Sequence, residues 1–181
     1  MDLNANLKKE FDHKVWTFES ALSVEQSVDV LEMLEQLEYQ PSTRLNKPVF
    51  TYEFGKCLTP KHKLIDYIQS DKFHKFIDFH TGIKVTKTLS CWASAYSKGH
   101  YLTPHSDAVH DRRMTYLFYF HRGWKPEWGG NIAFDRQTHW QMFVPQLGTL
   151  VLFDVQDSSN RHMVTEVVKD KTRYAITGWL A

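Results

Sequence analysis

The chain carries only two cysteines, Cys57 and Cys91, in 181 residues. Two thiols cannot make the disulfide framework of a small secreted domain, so a reducing, cytoplasmic setting is expected, with a Cys57–Cys91 bridge as the open alternative. An excess of charge is also missing: 22 Lys and Arg against 21 Asp and Glu leave a formal net charge of +1. That balance gives no electrostatic case for nucleic acid or an anionic membrane as a partner. No apolar run approaches the ~20 residues that span a bilayer, and Met1–Glu10 has no apolar signal-peptide core. There is no repeat, low-complexity tract or Pro/Gly/Ser linker. A single soluble domain over residues 1–181 is expected.

Aromatic residues, by contrast, are plentiful, at 14% with 6 Trp, 8 Tyr and 12 Phe. Large flat side chains suit the tapering interior of a barrel-like β fold. Two regions differ in texture. Residues 1–82 read as helical support. Ser23 is a good N-cap with Gln26 three residues on, followed by Val24, Val28, Leu31, Leu34 and Leu37 at helical spacing. A second helix is expected from about Pro60, with Leu64, Ile65 and Ile68 on one face. A third is expected from Asp71, with Phe73, Phe76, Ile77 and Phe79, stopping near Gly82. Residues 83–181 read as strand after strand: Thr86–Tyr96, Arg113–His121, Asn131–Asp135, Trp140–Val144, Thr149–Asp154, Met163–Val168 and Arg173–Leu180. Turn clusters such as Trp128-Gly129-Gly130 and Lys169-Asp170-Lys171 separate them. The fold class that follows is mainly β with N-terminal helices, a jelly roll.

Chemistry concentrates in His105-Ser106-Asp107 and, far downstream, His162 and Arg173. Residues i and i+2 of a strand share a face, so His105 and Asp107 can reach one metal while Ser106 points away. Pro104 pins the approach into an extended conformation, and His162 opens a predicted strand. Two imidazoles and one carboxylate leave open positions on a non-haem Fe(II) ion. An isolated H-x-D is common by chance, and His100, His110, His121 and His139 are ligands of equal standing on residue type alone. Arg173 leads an otherwise apolar strand. Pointing inward it needs an anion, because an unpaired interior charge is expensive, and a ligand carboxylate would serve bidentately. Pointing outward, it would answer Asp154 or Glu166 in water.

From Tyr96 to Trp179 these residues resemble the Fe(II)/2-oxoglutarate-dependent dioxygenases of the prolyl 4-hydroxylase superfamily. The matching segments are Tyr101-Leu102-Thr103-Pro104-His105-Ser106-Asp107, Arg112-Arg113-Met114-Thr115-Tyr116-Leu117-Phe118-Tyr119, Trp128-Gly129-Gly130, His162-Met163-Val164-Thr165-Glu166-Val167 and Arg173-Tyr174-Ala175-Ile176-Thr177-Gly178-Trp179. Arg112-Arg113, Trp124, the Gly-Gly pair and the final Thr-Gly-Trp are most similar to the branch acting on a proline of a small-subunit ribosomal protein. They are also similar to the oxygen-sensing prolyl hydroxylases.

The resemblance implies a double-stranded β-helix, another name for the jelly roll. It implies iron held by His105, Asp107 and His162. It implies 2-oxoglutarate held at its distal carboxylate by Arg173, with help from Tyr96, Tyr119 and Thr177. With O₂ as third reactant, oxidation of a substrate C–H would accompany release of succinate and CO₂. If Tyr119 faces the co-substrate, alternation puts Thr115 and Leu117 on the same wall, with Met114, Tyr116, Phe118 and Phe120 behind it. Arg112, Trp179 and Trp124 are the candidate substrate contacts. A peptidyl proline in a protein or peptide is the expected substrate. The ribosomal branch carries a second, degenerate jelly-roll domain, whereas this sequence stops after the Arg173 strand, so a compact stand-alone hydroxylase is expected. Free amino acids or natural-product intermediates are an alternative substrate class. A non-enzymatic, cupin-like metal-binding module is the alternative outside enzymes. Nothing in the chain sets an oligomeric state.

Overall fold

A computed structural model describes residues 1–45, 51–58, 60–109 and 111–181. Along the chain run β1 (Lys8–Phe11), β2 (Val15–Phe18), α1 (Val24–Glu35), β3 (Gln40–Arg44), β4 (Tyr52–Cys57), α2 (Lys63–Ile68) and α3 (Asp71–Thr81). Then follow β5 (Trp92–Tyr96), β6 (Tyr101–His105), β7 (Met114–Phe120), β8 (Ile132–Asp135), β9 (Trp140–Phe143), β10 (Thr149–Asp154), β11 (His162–Val164) and β12 (Arg173–Leu180).

The three helices form where local signals place them. Ser23 and Gln26 close a reciprocal capping box on α1, and Gly82, in the left-handed region at φ 69°, ends α3. The helix expected from Pro60 begins at Lys63, where the His62 side chain accepts from Leu64 N–H. The buried stripe of α1 is Ser27, Val30 and Leu34, and Val24 faces solvent. Phe79, expected on the inner face of α3, is 84% exposed, because Phe73 and Ile77 already take the inward positions.

The N-terminal region is not purely helical support. Four of its segments, β1 to β4, join the sheet. They are 4–6 residues long, and β1 (KKEF) and β3 (QPSTR) are polar, so no local alternation announces them. Their conformation is set by partners distant in sequence, as in the pairing of Val15–Phe18 with Leu150–Phe153. β6 is likewise an added strand. The expected Thr86–Tyr96 strand shortens to Trp92–Tyr96, with a lone bridge from Thr88 to Leu180. The expected Met163–Val168 strand shifts back to start at His162.

All pairings are antiparallel, in the order β1-β2-β10-β7-β12-β5-β4-β6-β11-β8-β9, with β3 beside β4. β4 turns the corner. Gly55–Cys57 pair with β5, while Tyr52 and Glu53 pair with β6. The sheet thereby curls until its two end strands meet through Phe11 and Phe143, whose ring centroids lie 4.9 Å apart. Alternation divides the core. Met114, Tyr116, Phe118, Phe120 and Ile176 pack behind the sheet with Val30, Leu34, Leu64, Ile68, Phe73 and Ile77 of the helices. Leu117, Tyr119, Ala175, Ile132, Phe134, Val151 and Phe153 fill the inside of the curl. Truncating a fully buried phenylalanine such as Phe118 costs about 3–5 kcal/mol, so the helices anchor the wall that carries the site.

Gly178 lets β12 lie close to the chain at Ser90. A Cβ there would stand 1.9 Å from the Ser90 carbonyl oxygen and 2.6 Å from the Tyr116 hydroxyl, which itself donates to that carbonyl. Gly178→Ala is expected to destabilise by about 1–3 kcal/mol or more, lowering the melting temperature by about 2–4 °C for each kcal/mol. An unchanged melting curve would show that the backbone there yields freely.

Candidate metal centre and co-substrate pocket

The pairing register stacks the inward side chains in layers. Arg173 of β12 lies opposite Tyr96 of β5, Ala175 opposite Ser94 and Tyr119, and Thr177 opposite Trp92 and Leu117. Trp179 lies opposite Thr115. On the facing side, His162 of β11 pairs with His105 of β6. One cavity is lined by His105, Asp107, His162, Arg173 and Tyr96, with Leu117, Thr177 and Trp179 along its walls.

Ligand atoms of His105, Asp107 and His162 lie within 4.8 Å of one another. Nε2 of His105 is 3.6 Å from Oδ1 of Asp107, and Nε2 of His162 is 3.7 Å from its Oδ2. Both imidazoles are held from behind: Nδ1 of His105 meets the Thr103 carbonyl at 3.1 Å, and Nδ1 of His162 meets the Asn160 carbonyl at 3.0 Å. A carbonyl only accepts, so each Nδ1 carries the proton and each Nε2 lone pair is turned to the centre. Oδ2 of Asp107 accepts from the Trp179 indole N–H at 2.9 Å and the Thr115 hydroxyl at 3.1 Å. Burial alone would raise the Asp107 pKa. The adjacent His105, the second imidazole and the Trp179 indole N–H outweigh it and hold the carboxyl well below its usual range. Burial, then the adjacent His105, push His162 down to about 4, so at neutral pH it presents an uncharged ring. Two neutral nitrogens and one carboxylate oxygen suit a divalent ion with open positions.

Deeper in the cavity, Arg173 is 1% exposed. Its guanidinium carbon sits 4.2 Å from the centroid of Tyr96 and 5.2 Å from that of Tyr119. The outward alternative fails: Asp154 is taken by Lys14 at 3.2 Å, and no carboxylate among the described residues pairs with Arg173. Arg173 Nε and the Tyr119 hydroxyl, both buried, have no hydrogen-bond partner among the described residues. Burial pushes the Tyr119 hydroxyl up to about 12 and keeps it a donor. A buried cation and an idle donor facing one cavity are costly unless an anion joins them. This is the arrangement a carboxylate would complete.

Other expected residues fall into place unevenly. Tyr96 is buried, its ring stacked on Phe54 at 4.9 Å. The Thr177 hydroxyl donates to the Tyr116 carbonyl at 2.8 Å, so its proton is committed away from the cavity. Arg112 stacks on Trp179, its guanidinium carbon 3.3 Å from the ring centroid and Nη1 3.5 Å from Oδ1 of Asp107. Trp124, expected among the substrate contacts, is instead buried. It is 1% exposed, packed with Tyr96, Val164 and Val167, and its indole N–H donates to the Gly129 carbonyl at 2.7 Å. The chain folds it beneath the Gly129-Gly130 turn, away from the surface. His100 bonds backbone of its own turn, His121 packs against Trp124, and His139 is exposed; none joins the centre. His110 lies outside the described residues. Sequence reasoning overlooked Trp92, Phe54 and the carbonyls of Thr103 and Asn160. A carbonyl has no sequence signature, but the alternation of Trp92, Ser94 and Tyr96 was a usable signal.

Residues 91–181 match the family model of the 2OG-Fe(II) oxygenase superfamily. The chain belongs to that superfamily. It is 28% identical over 130 residues to the prolyl 3,4-dihydroxylase OGFOD1 of Ostreococcus tauri, covering 65% of this chain and 25% of that protein. It is 26% identical over 165 residues to the prolyl 3-hydroxylase OGFOD1 of Xenopus laevis, covering 83% of this chain and 31% of that protein. The chain thus spans a quarter to a third of the length of these relatives. Among solved structures, a Pseudomonas putida prolyl-4-hydroxylase aligns at TM-score 0.73 and 17% identity, covering 93% of this chain and 92% of that one. A Trichoplax adhaerens prolyl hydroxylase in complex with a hypoxia inducible factor peptide fragment aligns at TM-score 0.74 and 19% identity, covering 93% and 84%. These likenesses establish the jelly-roll fold. Oxygenases of the superfamily use Fe(II), 2-oxoglutarate and O₂, and the donor set and the unpaired Arg173 fit that requirement.

Trp179 and Thr115 both hold Oδ2 of Asp107, whereas Oδ1 stands 3.6 Å from Nε2 of His105 and 3.5 Å from Nη1 of Arg112. Trp179→Phe keeps the ring and removes the donor. Outer hydrogen bonds of this kind are worth roughly 10–100-fold in metal affinity, and a loss of that size is expected in a Co(II) titration followed by its visible spectrum. Wild-type affinity in the variant would mean that Thr115 alone orients the carboxylate.

Proposed function

We propose that this chain is an Fe(II)- and 2-oxoglutarate-dependent hydroxylase acting on a prolyl residue of a protein or peptide. The observation that carries the reading is the buried, unpaired Arg173 sharing one cavity with His105, Asp107 and His162. Both curated relatives above are prolyl hydroxylases by name, which favours a prolyl substrate. A cytoplasmic setting is part of the reading, supported by the free thiols of Cys57 and Cys91. No helix among the described residues is long and apolar enough to cross a membrane.

Bound together, Fe(II), 2-oxoglutarate and O₂ supply an oxidant that converts substrate C–H to C–OH as the co-substrate loses CO₂ and becomes succinate. The oxidising power belongs to those reactants, and the protein's part is binding, orientation and exclusion. His105 and His162 offer neutral Nε2 donors with their tautomers fixed by backbone carbonyls, and Asp107 offers its carboxylate. Arg173 takes the distal carboxylate through its planar fork, and Tyr119 donates a further hydrogen bond to it. Tyr96 covers the guanidinium face. Leu117, Leu102, Ile132 and Val164 line the same cavity and keep water from the site. Arg112 and Trp179, beside Asp107, are placed to meet the substrate. Strands carry every one of these groups except Asp107 and Arg112, so the geometry is stiff.

Succinate formation with added Fe(II) is expected in the wild type and lost in His105→Ala and Asp107→Ala. Equal turnover in all three proteins would remove the metal assignment. Arg173→Ala is expected to weaken 2-oxoglutarate binding by about 2–4 kcal/mol, the scale of a charge-assisted bidentate contact. Unchanged affinity would place the carboxylate elsewhere. A product heavier by one oxygen atom is expected from proline-containing peptides, whereas its appearance only with free amino acids would turn the reading to small molecules.

A further inference from the structure

Lys56 of β4 lies directly opposite Ser94 of β5. Opposed residues of an antiparallel pair share a face, so Lys56 belongs to the inward row that also holds Phe54, Trp92, Ser94 and Tyr96, the last four of which line the cavity. Its Nζ stands 4.3 Å from the centroid of Trp92, and the Trp92 ring stands 4.8 Å from that of Trp179. Trp179 in turn holds Asp107. An ammonium, two indoles and a metal-ligand carboxylate thus stand in one file. Arg112, on the other cation–aromatic contact of this rim, is engaged by Asp107. Lys56 has no carboxylate partner among the described residues. Its partial burial lowers its basicity, a cost that an anionic neighbour would remove.

We propose that Lys56 is a specificity residue that takes the carboxylate of an Asp or Glu beside the oxidised residue, so that the substrate segment is acidic next to its target. The inference rests on the peptidyl hydroxylase reading and adds the chemistry of the flanking sequence. The spacing suits it: the ring-to-ring step from Trp179 to Trp92 and the step from Trp92 to the Lys56 ammonium together cover about two or three residues of extended peptide at ~3.3 Å each. The ammonium beyond the two indoles is a point charge with three donors.

The test uses the Fe(II)- and 2-oxoglutarate-supplied enzyme and a peptide library with a central proline and randomised flanks, reading which sequences gain one oxygen. In the wild type, oxidised peptides are expected to be enriched about tenfold in Asp and Glu over Lys and Arg within three residues of the proline. Resynthesised acidic and basic pairs should differ in KM rather than kcat, and added salt should narrow the gap. Lys56→Glu should reverse the order, and Lys56→Met, which still covers Trp92, should abolish it. Oxidised peptides without charge preference, or a preference that survives both substitutions, would overturn the role of Lys56 and leave the hydroxylase reading standing. Succinate release with no peptide oxidised would remove the peptidyl reading, and this inference with it.

Discussion

Strand register is the constraint on which everything else depends. Arg173 and Tyr96 share a layer only because β12 pairs with β5 in one alignment, and Thr115 stands under Trp179 only because β12 pairs with β7 in another. Shifting β12 by one residue would exchange its two faces. Arg173, Ala175, Thr177 and Trp179 would turn toward the helices, and Tyr174, Ile176 and Leu180 would enter the cavity. A slip that moved Arg173 into the place of Tyr174 would set a bare guanidinium beside Phe120, so burial of the helix-side residues and placement of the charge are selected together.

Polar atoms are few inside the curl, and their arrangement is economical. The metal-facing nitrogens are freed because their ring partners are backbone carbonyls, which cannot compete for a cation as a side chain might. One carboxylate oxygen is held by two donors, and the other lies between His105 and Arg112. At the far end the balance is inverted, with donors lacking an acceptor. The pocket is thus incomplete at both ends in complementary senses, wanting a cation near Asp107 and an anion near Arg173. One small dicarboxylate that also chelates a metal satisfies both.

Much of this was legible before any coordinates. The i, i+2 spacing of His105 and Asp107 pointed to one centre, although β6 ends at His105 and Asp107 follows it in the loop, and the face assignment along Met114–Phe120 follows from alternation alone. The jelly roll came through the family resemblance, and so did the proposed metal set and arginine, which the fold brings to one cavity. What stayed hidden has physical reasons. β1 and β3 are short and polar, so their strand state is decided by neighbours far along the chain. Trp124 carries no mark that distinguishes a rim indole from one folded under a glycine turn. Thr177 looks like a ligand hydroxyl until its proton is found on the Tyr116 carbonyl. Lys56 drew no reading from the sequence, because its face is set only by the pairing of β4 with β5.

The meeting of the two end strands carries a last consequence. β1 and β9 approach through Phe11 and Phe143 without a backbone ladder between them among the described residues. The cylinder is therefore sealed in packing and unzipped in hydrogen bonding. Parting along that seam breaks ring contacts but no main-chain bond, which makes it the cheapest line along which the wall can breathe. His105, Asp107 and His162 sit on β6, the chain beyond it and β11, separated from the seam by β8 and β9, so motion there is absorbed by two strands before it reaches them.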